Sequence, residues 1–121
     1  MSNTDFSDED LLQKFVTGGF SKVSNELDRL GDYLDNRAVE TGLAAPIYLC
    51  EALRIVANLF KEHDRNGGLR VGFVKQLDSL VHSHVPEVQR GDPLQSVRRA
   101  RQFRDEVIAR VRDYDFRNTY E

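Results

Sequence analysis

The chain has 121 residues, of which 40% are hydrophobic and 31% are charged, and its formal net charge is −3. This composition excludes an intrinsically disordered chain and, with no long apolar stretch, a membrane-spanning one, whereas the length suits one domain, residues 1–121, that buries its own core. The net charge is too small to indicate a nucleic-acid partner or to exclude one.

The N-terminal segment MSNTDFSDEDLL is acidic and lacks the basic and apolar runs of a signal peptide. Cys50 is the only cysteine, so no intramolecular disulfide can form. Together these features predict a cytoplasmic protein in a reducing compartment, with Cys50 as a buried structural thiol. Residues 1–5 are expected to fray ahead of the first helix.

The first predicted helix begins at Ser7, whose side chain can cap the helix while Asp10 completes the capping box. It ends at Gly18-Gly19. A second helix is predicted from about Ser21 to Glu40, because apolar residues recur there every three or four positions. They are Phe20, Val23, Leu27, Leu30 and Leu34. The break at Thr41-Gly42 is short enough to predict an αα-hairpin into the next helix.

The stretch PIYLCEALRIVANLFKEH, from Pro46 to His63, is apolar over more than half of its helical circumference. A helix with so little polar surface must be surrounded by other elements, whereas a surface helix buries only one stripe. We therefore predict that residues 46–63 form the buried central helix of a bundle. Pro46 suits its first turn, and Asn66, Gly67 and Gly68 are residues that end helices. The same apolar surface would also suit a homo-oligomer.

A fourth helix is predicted from about Arg70 to His84. Pro86 is expected to stop it, because the residue before a proline avoids helical backbone angles, which leaves HVPEVQRGDP as the longest irregular segment. The fifth helix is expected to begin with Asp92 as its cap and Pro93 in its first turn. Seven of its residues are assigned to the inner face: Leu94, Val97, Ala100, Phe103, Val107, Val111 and Tyr114.

These elements, with no alternation typical of strands, predict an all-α fold class. The expected architecture is a single-domain bundle of about five helices around the central one. At the C-terminus, residues 117–121 are expected to fray.

No residue pattern predicts catalysis, so we expect a non-enzymatic protein with no cofactor and no metal. The segment EHDRNGGLRVGF has the central glycine of a calcium loop but carries Phe73 where a bidentate carboxylate is needed. His84 falls on the apolar face of the fourth helix and His82 on the opposite face, so the two do not converge on a metal. An exposed His82 in a phosphorelay is a third hypothesis, although the residues around it are not typical of phosphotransfer modules.

Three aspartates on the second helix form what we call the acidic ridge: Asp28, Asp32 and Asp35. Like charges three and four residues apart destabilise a helix by a few tenths of a kcal/mol, so a ridge without basic neighbours of its own suggests a use. We predict that it binds a partner protein with a basic surface. The chain would then be an inhibitor, an antitoxin- or immunity-like factor, or a small subunit of an assembly. An ordinary solvated helix face explains the same residues.

The alternative function comes from the arginine cluster in the first half of the fifth helix, which consists of Arg98, Arg99, Arg101 and Arg104. Such a cluster could contact a nucleic-acid backbone, which would make the chain a nucleic-acid-binding small subunit. Acidic residues interleave with the cluster, however, and the spacing predicts weak ion pairs such as that of Arg101 with Asp105. Arg104 lies at the border of the apolar face, where it needs a carboxylate from a neighbouring helix or from a partner.

Overall fold

The computed structural model describes residues 7–64 and 68–120, with side chains for 7–63 and 68–115. Within these ranges the chain contains no strand, which confirms the all-α fold class. Residues 1–5 lie outside the described ranges, and the fraying of residues 117–121 stays a prediction. The elements are α1 (Asp8–Gly18), a 3₁₀ segment (Phe20–Glu26), α2 (Leu27–Thr41), α3 (Ala45–Asp64), α4 (Val71–Arg90) and α5 (Pro93–Tyr120).

The helix α3 is the one on which the bundle is built, because it packs along both α2 and α5. The helix α4 packs along α5, and α1 and the 3₁₀ segment close the bundle between α4 and α2. More of the buried hydrophobic residues come from α3 than from any other described helix. The apolar circumference of residues 46–63 predicted this central helix, although the helix begins one residue earlier than predicted, at Ala45.

Three phenylalanines from different elements meet in the core, and all three are fully buried. Phe15 of α1 lies 5.1 Å from Phe20 of the 3₁₀ segment and 6.4 Å from Phe103 of α5, measured between ring centroids. Both pairs are edge-to-face, an arrangement that contributes about 0.5–1.5 kcal/mol beyond the burial of area. This cluster explains how a helix as short as α1 is held on the bundle.

The predicted second helix is divided in the structure, because residues 20–26 form a 3₁₀ segment and the α-helix begins only at Leu27. The carboxylate of Asp78 on α4 accepts hydrogen bonds from the Ser21 backbone N–H at 3.2 Å and from the Ser21 hydroxyl at 2.6 Å. Gly19 lies against the same carboxylate with φ +81°, and a Cβ there would come within 2.6 Å of it. A tertiary contact therefore overrides the helical pattern of this segment.

The prediction that Pro86 ends the fourth helix is wrong, since α4 continues through it to Arg90. A proline inside a helix costs about 3 kcal/mol. Val85 and Val88 beside it are both buried, and each buried valine contributes about 1.5–3 kcal/mol, so continuing the helix is favourable. The helix ends instead at Gly91, and the connection to α5 is only two residues long, Gly91 and Asp92.

The caps were predicted more accurately than the inner face of α5. Ser7 and Asp10 form the capping box, and Asp92 Oδ1 accepts from the Gln95 backbone N–H at 2.9 Å. Leu94 was assigned to the inner face but is 64% exposed, a wrong prediction. Ser96 is buried instead, because its hydroxyl donates to the Val88 carbonyl at 2.6 Å and so fixes the α4–α5 corner.

Two glycines with left-handed backbone angles close α2 and α3. Gly42, with φ 69°, ends α2 and begins the predicted hairpin turn. Gly68, with φ 88°, donates its N–H to the His63 carbonyl at 2.8 Å beyond the end of α3. Asn66 and Gly67, which were also predicted to end this helix, lie outside the described residues.

Candidate functional site

Two of the three carboxylates of the acidic ridge are engaged by bases on α3. Asp28 Oδ2 lies 2.6 Å from Lys61 Nζ, and Asp32 Oδ1 lies 2.6 Å from Arg54 Nη2. The hydrogen bond to Asp32 raises the pKa of Arg54 above its usual value. Both pairs are exposed, so each contributes at most about 1 kcal/mol. The like-charge argument made from α2 alone missed these bases, which come from the neighbouring helix.

Asp35, the third member of the acidic ridge, is exposed, and among the described residues no ion pair or hydrogen bond involves its side chain. The α3 positions that provide the two bases, Lys61 and Arg54, are seven residues apart and lie on one stripe of that helix. Seven residues further along the stripe comes Ile47, which is apolar. The stripe of bases therefore stops before the ridge does.

Exposed apolar side chains occupy the end of the α2–α3 pair at which the ion pairs stop. Val39 lies seven residues after Asp32 on α2, and Ile47 lies seven residues before Arg54 on α3, so both lie beyond this ion pair toward the turn that joins the helices. Val39 is 80% exposed, Ile47 is 45% exposed, and Leu43 in the turn between the helices is 43% exposed. We call Asp35, Val39, Leu43 and Ile47 the open end, and the two ion pairs the paired end.

Leu43 of the open end also lines a groove of about 300 Å³, where α1, the α2–α3 turn and the α4–α5 corner meet, whereas Asp35, Val39 and Ile47 do not line it. Its apolar lining includes Leu12, Leu34, Pro46, Leu49, Val88 and Val97. The exposed Leu94 follows Pro93, which also lines the groove. The sequence carried one signal of this surface, because Val39 is a large apolar residue that lies off the stripe of Leu27, Leu30 and Leu34, the leucine seam of α2.

Arg104 is paired within the fold, as its position at the border of the apolar face required. Its guanidinium lies 3.2 Å from Glu51 Oε1 on α3 and 2.9 Å from Asp105 Oδ1 on its own helix. It also lies 4.7 Å from the centroid of the Tyr48 ring. The hydrogen bond to Asp105 raises the pKa of Arg104, and Glu51 adds to this effect. Arg104 therefore joins α5 to α3.

The other members of the arginine cluster divide between internal contacts and solvent. Arg101 Nη2 donates to the Tyr48 hydroxyl at 3.2 Å, so the predicted pair with Asp105 is not formed. Arg99 Nη2 donates to the Ser83 carbonyl at 3.3 Å, and its buried Nε has no hydrogen-bond partner among the described residues. Arg98 is exposed, with no ion pair in the part of the chain that is described.

The two histidines of α4 lie on opposite faces, as predicted. His84 is buried, and its Nε2 lies 2.7 Å from Glu106 Oε2 on α5, whereas Nδ1 has no hydrogen-bond partner among the described residues. His82 is exposed, and its Nε2 donates to the Thr17 carbonyl at 3.0 Å. Both imidazoles thus link α4 to other helices.

Cys50 is buried as predicted, and its thiol donates to the Gly31 carbonyl at 3.2 Å. Burial raises the pKa of this thiol, which disfavours the reactive thiolate form.

Comparisons with protein-family models, with curated proteins and with solved structures find no match to this chain. Among the described residues, no helix is both long enough and apolar enough to cross a membrane.

Proposed function

We propose that this chain is a non-enzymatic protein–protein interaction module that binds its partner through the open end and the adjacent groove. The observation that supports it is that three exposed large apolar residues, Val39, Leu43 and Ile47, occur where α2 turns into α3, and that Leu43 also lines a largely apolar groove. Solvent-exposed apolar patches of this kind mark interaction sites, and apolar anchors filling a groove provide most of the binding energy in protein interfaces. The biological role would be that of an inhibitor, an antitoxin- or immunity-like factor, or a small subunit of an assembly.

The carboxylates near Val39 favour a partner that is basic at this edge of the contact, whereas the groove itself carries one base, Arg37. Asp35 lies four residues before Val39 and so shares its helix face, and Glu40 is exposed next to Val39. The first 64 residues hold 12 acidic and 6 basic residues, so the half of the chain that contains the open end is acidic as a whole. A partner that inserts an apolar side chain into the groove and sets a lysine or arginine beside Asp35 would satisfy both features.

The experiment is native mass spectrometry of the tagged full chain, purified gently from its own cells with and without nuclease. We expect a partner protein to co-purify with the chain in a fixed stoichiometry and to remain bound after nuclease treatment. The Asp35→Asn variant should retain less of this partner than the wild type does. Asp28→Asn is the matched control, because it removes the same charge from the paired end, and it should retain the partner. Equal retention by Asp35→Asn and the wild type would exclude the open end, and a bound second copy of the chain alone would indicate a homo-oligomer instead.

The alternative, a nucleic-acid-binding small subunit that uses Arg98, Arg99, Arg101 and Arg104, is favoured by one observation. Arg98 projects into solvent without an ion pair in the described part of the chain, and Arg101 is also exposed. Phosphate contacts by these side chains would give an affinity for RNA or DNA that falls steeply with salt. Loss of the co-purifying mass on nuclease treatment, together with weaker binding by Arg98→Ala, would establish this function in place of the first.

A further inference from the structure

We propose that the chain binds one divalent transition-metal ion, with Zn²⁺ as the best fit, between the C-terminal end of α3 and the facing part of α5. The ligands would be Glu62 and His63 in the last turn of α3 and Asp115 on α5. Each offers one ligand atom, and these atoms all lie within 4.8 Å of one another. This site is independent of the open end and of the proposed function.

The distance between His63 and Asp115 suits a shared metal better than a direct contact. His63 Nε2 and Asp115 Oδ1 are 3.6 Å apart, which is too long for a hydrogen bond. Zinc binds nitrogen and oxygen ligands at about 2.0–2.2 Å, so two ligands of a tetrahedral ion are separated by roughly 3.4 Å. The two side chains are thus already close to the separation that a common zinc ion requires.

The imidazole is held in place by the core. The side chain of His63 is only 19% exposed, and its ring lies edge-on to Tyr114, with 5.3 Å between centroids. Tyr114 is buried and stacks on Phe73 at 4.1 Å, and its hydroxyl accepts the Arg70 backbone N–H at 3.2 Å. A ligand whose orientation is fixed by packing loses less entropy on binding a metal than a free surface histidine does.

The donor set selects the class of ion. Imidazole nitrogen and carboxylate oxygen are both ligands that zinc binds, whereas Ca²⁺ requires six to eight oxygen ligands and Mg²⁺ prefers an octahedron of oxygens. Two carboxylates and a neutral imidazole balance the charge of one divalent cation. The C-terminal end of α3 also carries the negative end of the helix dipole, which favours a cation there. Water or a group from another molecule would complete the coordination.

The sequence predicts no metal here because the three ligands do not share one segment of the chain. Glu62 and His63 are adjacent in the chain, but Asp115 follows His63 by more than fifty residues and belongs to another helix. The parallel packing of α3 and α5 brings the three together, and this arrangement is not visible in local spacing.

The test is isothermal titration calorimetry of the full chain with ZnCl₂. CaCl₂ is the comparison ion, and circular dichroism checks that each variant is folded. We expect one Zn²⁺ per chain and no saturable heat with Ca²⁺. His63→Ala and Asp115→Asn should each weaken zinc binding at least ~10-fold, since even loss of outer-shell partners has effects of that size. Glu62→Gln, which changes an exposed side chain and leaves the core intact, should weaken it as well.

His82→Ala is the matched control, because His82 is the exposed histidine of the described chain that lies outside this cluster, and it should bind zinc as the wild type does. The proposal is overturned if the wild type takes up no zinc, if His63→Ala and Asp115→Asn bind it with unchanged affinity, or if His82→Ala loses it. Should His63→Ala or Asp115→Asn unfold, an unchanged affinity in Glu62→Gln overturns the proposal on its own.

Discussion

The two ends of the α2–α3 pair differ in what each helix offers the other. At the paired end, each aspartate on α2 meets a base on α3, at 2.6 Å in both cases. At the open end, the same two stripes continue, but α2 presents Asp35 and Val39, and α3 presents Ile47. The first surface is satisfied within the fold, whereas the second leaves a charge and two apolar side chains in solvent.

This difference divides the acidic ridge into two carboxylates that are paired within the fold and one that is not paired among the described residues. Three aspartates at helical spacing look equivalent in the sequence, yet their surroundings are set by a helix that begins several residues later. Pairing with α3 explains Asp28 and Asp32 as parts of the fold, and leaves Asp35 as the member available to a partner. A base at position 47 would have closed the surface, so the apolar residue there is the feature to test.

The largest effect is expected from Leu34→Ala, which removes the buried wall of the groove beneath the open end. Leu34 is almost fully buried, and truncating a core leucine to alanine costs about 2–5 kcal/mol of unfolding free energy. Chemical denaturation of the variant and the wild type measures this loss. Val39→Ser, on the exposed side of the same helix, is the control and should change stability little. Equal losses in both variants would mean that the open end is packed in solution.

The next effect concerns partner binding and separates the open end from other exposed apolar residues. Val39→Ser combined with Ile47→Ser should weaken the complex by about 2 kcal/mol or more, as expected of anchors at an interface. Val71→Ser is the matched control, because Val71 is 69% exposed at the start of α4, away from the groove. Titration of the purified partner against each variant measures the change. Similar losses at Val71 would show that exposure alone, rather than the open end, determines binding.

The features that could be predicted from the sequence are those that depend on neighbours along the chain. Ser7 with Asp10 and Asp92 with Gln95 are caps formed within four residues, and Gly42 ends α2 by its own backbone freedom. The leucine seam of α2 and the apolar face of α3 are also buried as their periodicity indicates. Local chemistry determines these elements, so a single segment is enough to find them.

The features that could not be predicted depend on side chains from elsewhere in the chain. Asp78 of α4 turns residues 20–26 into a 3₁₀ segment, and the burial of Val85 and Val88 carries α4 through Pro86. In the same way, the partners of the acidic ridge come from α3, and those of Arg104 come partly from α3. The sequence therefore predicted a carboxylate surface on α2, but not the bases of α3 that pair with two of its three members.

A smaller effect is expected from removing one charge at each end in turn. Asp32→Asn should reduce the unfolding free energy by less than about 1 kcal/mol, because it breaks an exposed ion pair with Arg54. Asp35→Asn should leave stability unchanged or slightly raised, since among the described residues this carboxylate makes no ion pair and it repels the other aspartates. Denaturation at low and high salt measures both, and the difference between the variants should shrink as salt screens the pair. A loss at Asp35 as large as that at Asp32 would contradict the division of the ridge.

The smallest effect on stability and the sharpest test of the comparison come from Ile47→Lys. This change places a base seven residues before Arg54, so the stripe on α3 would carry three bases and meet the whole acidic ridge. Ile47 is partly exposed, so its replacement removes little from the core, and a new surface ion pair would add only a few tenths of a kcal/mol. Partner binding should nevertheless be lost, because an apolar anchor disappears and the charge of Asp35 is neutralised from within the fold.

Isothermal titration calorimetry with the partner measures this loss. The control is Asn58→Lys, which adds the same charge to another exposed position of α3 and so separates the effect of charge from the effect of position. If Asn58→Lys abolishes binding equally, the added positive charge alone is responsible, and if Ile47→Lys binds as well as the wild type, the open end is not the contact surface.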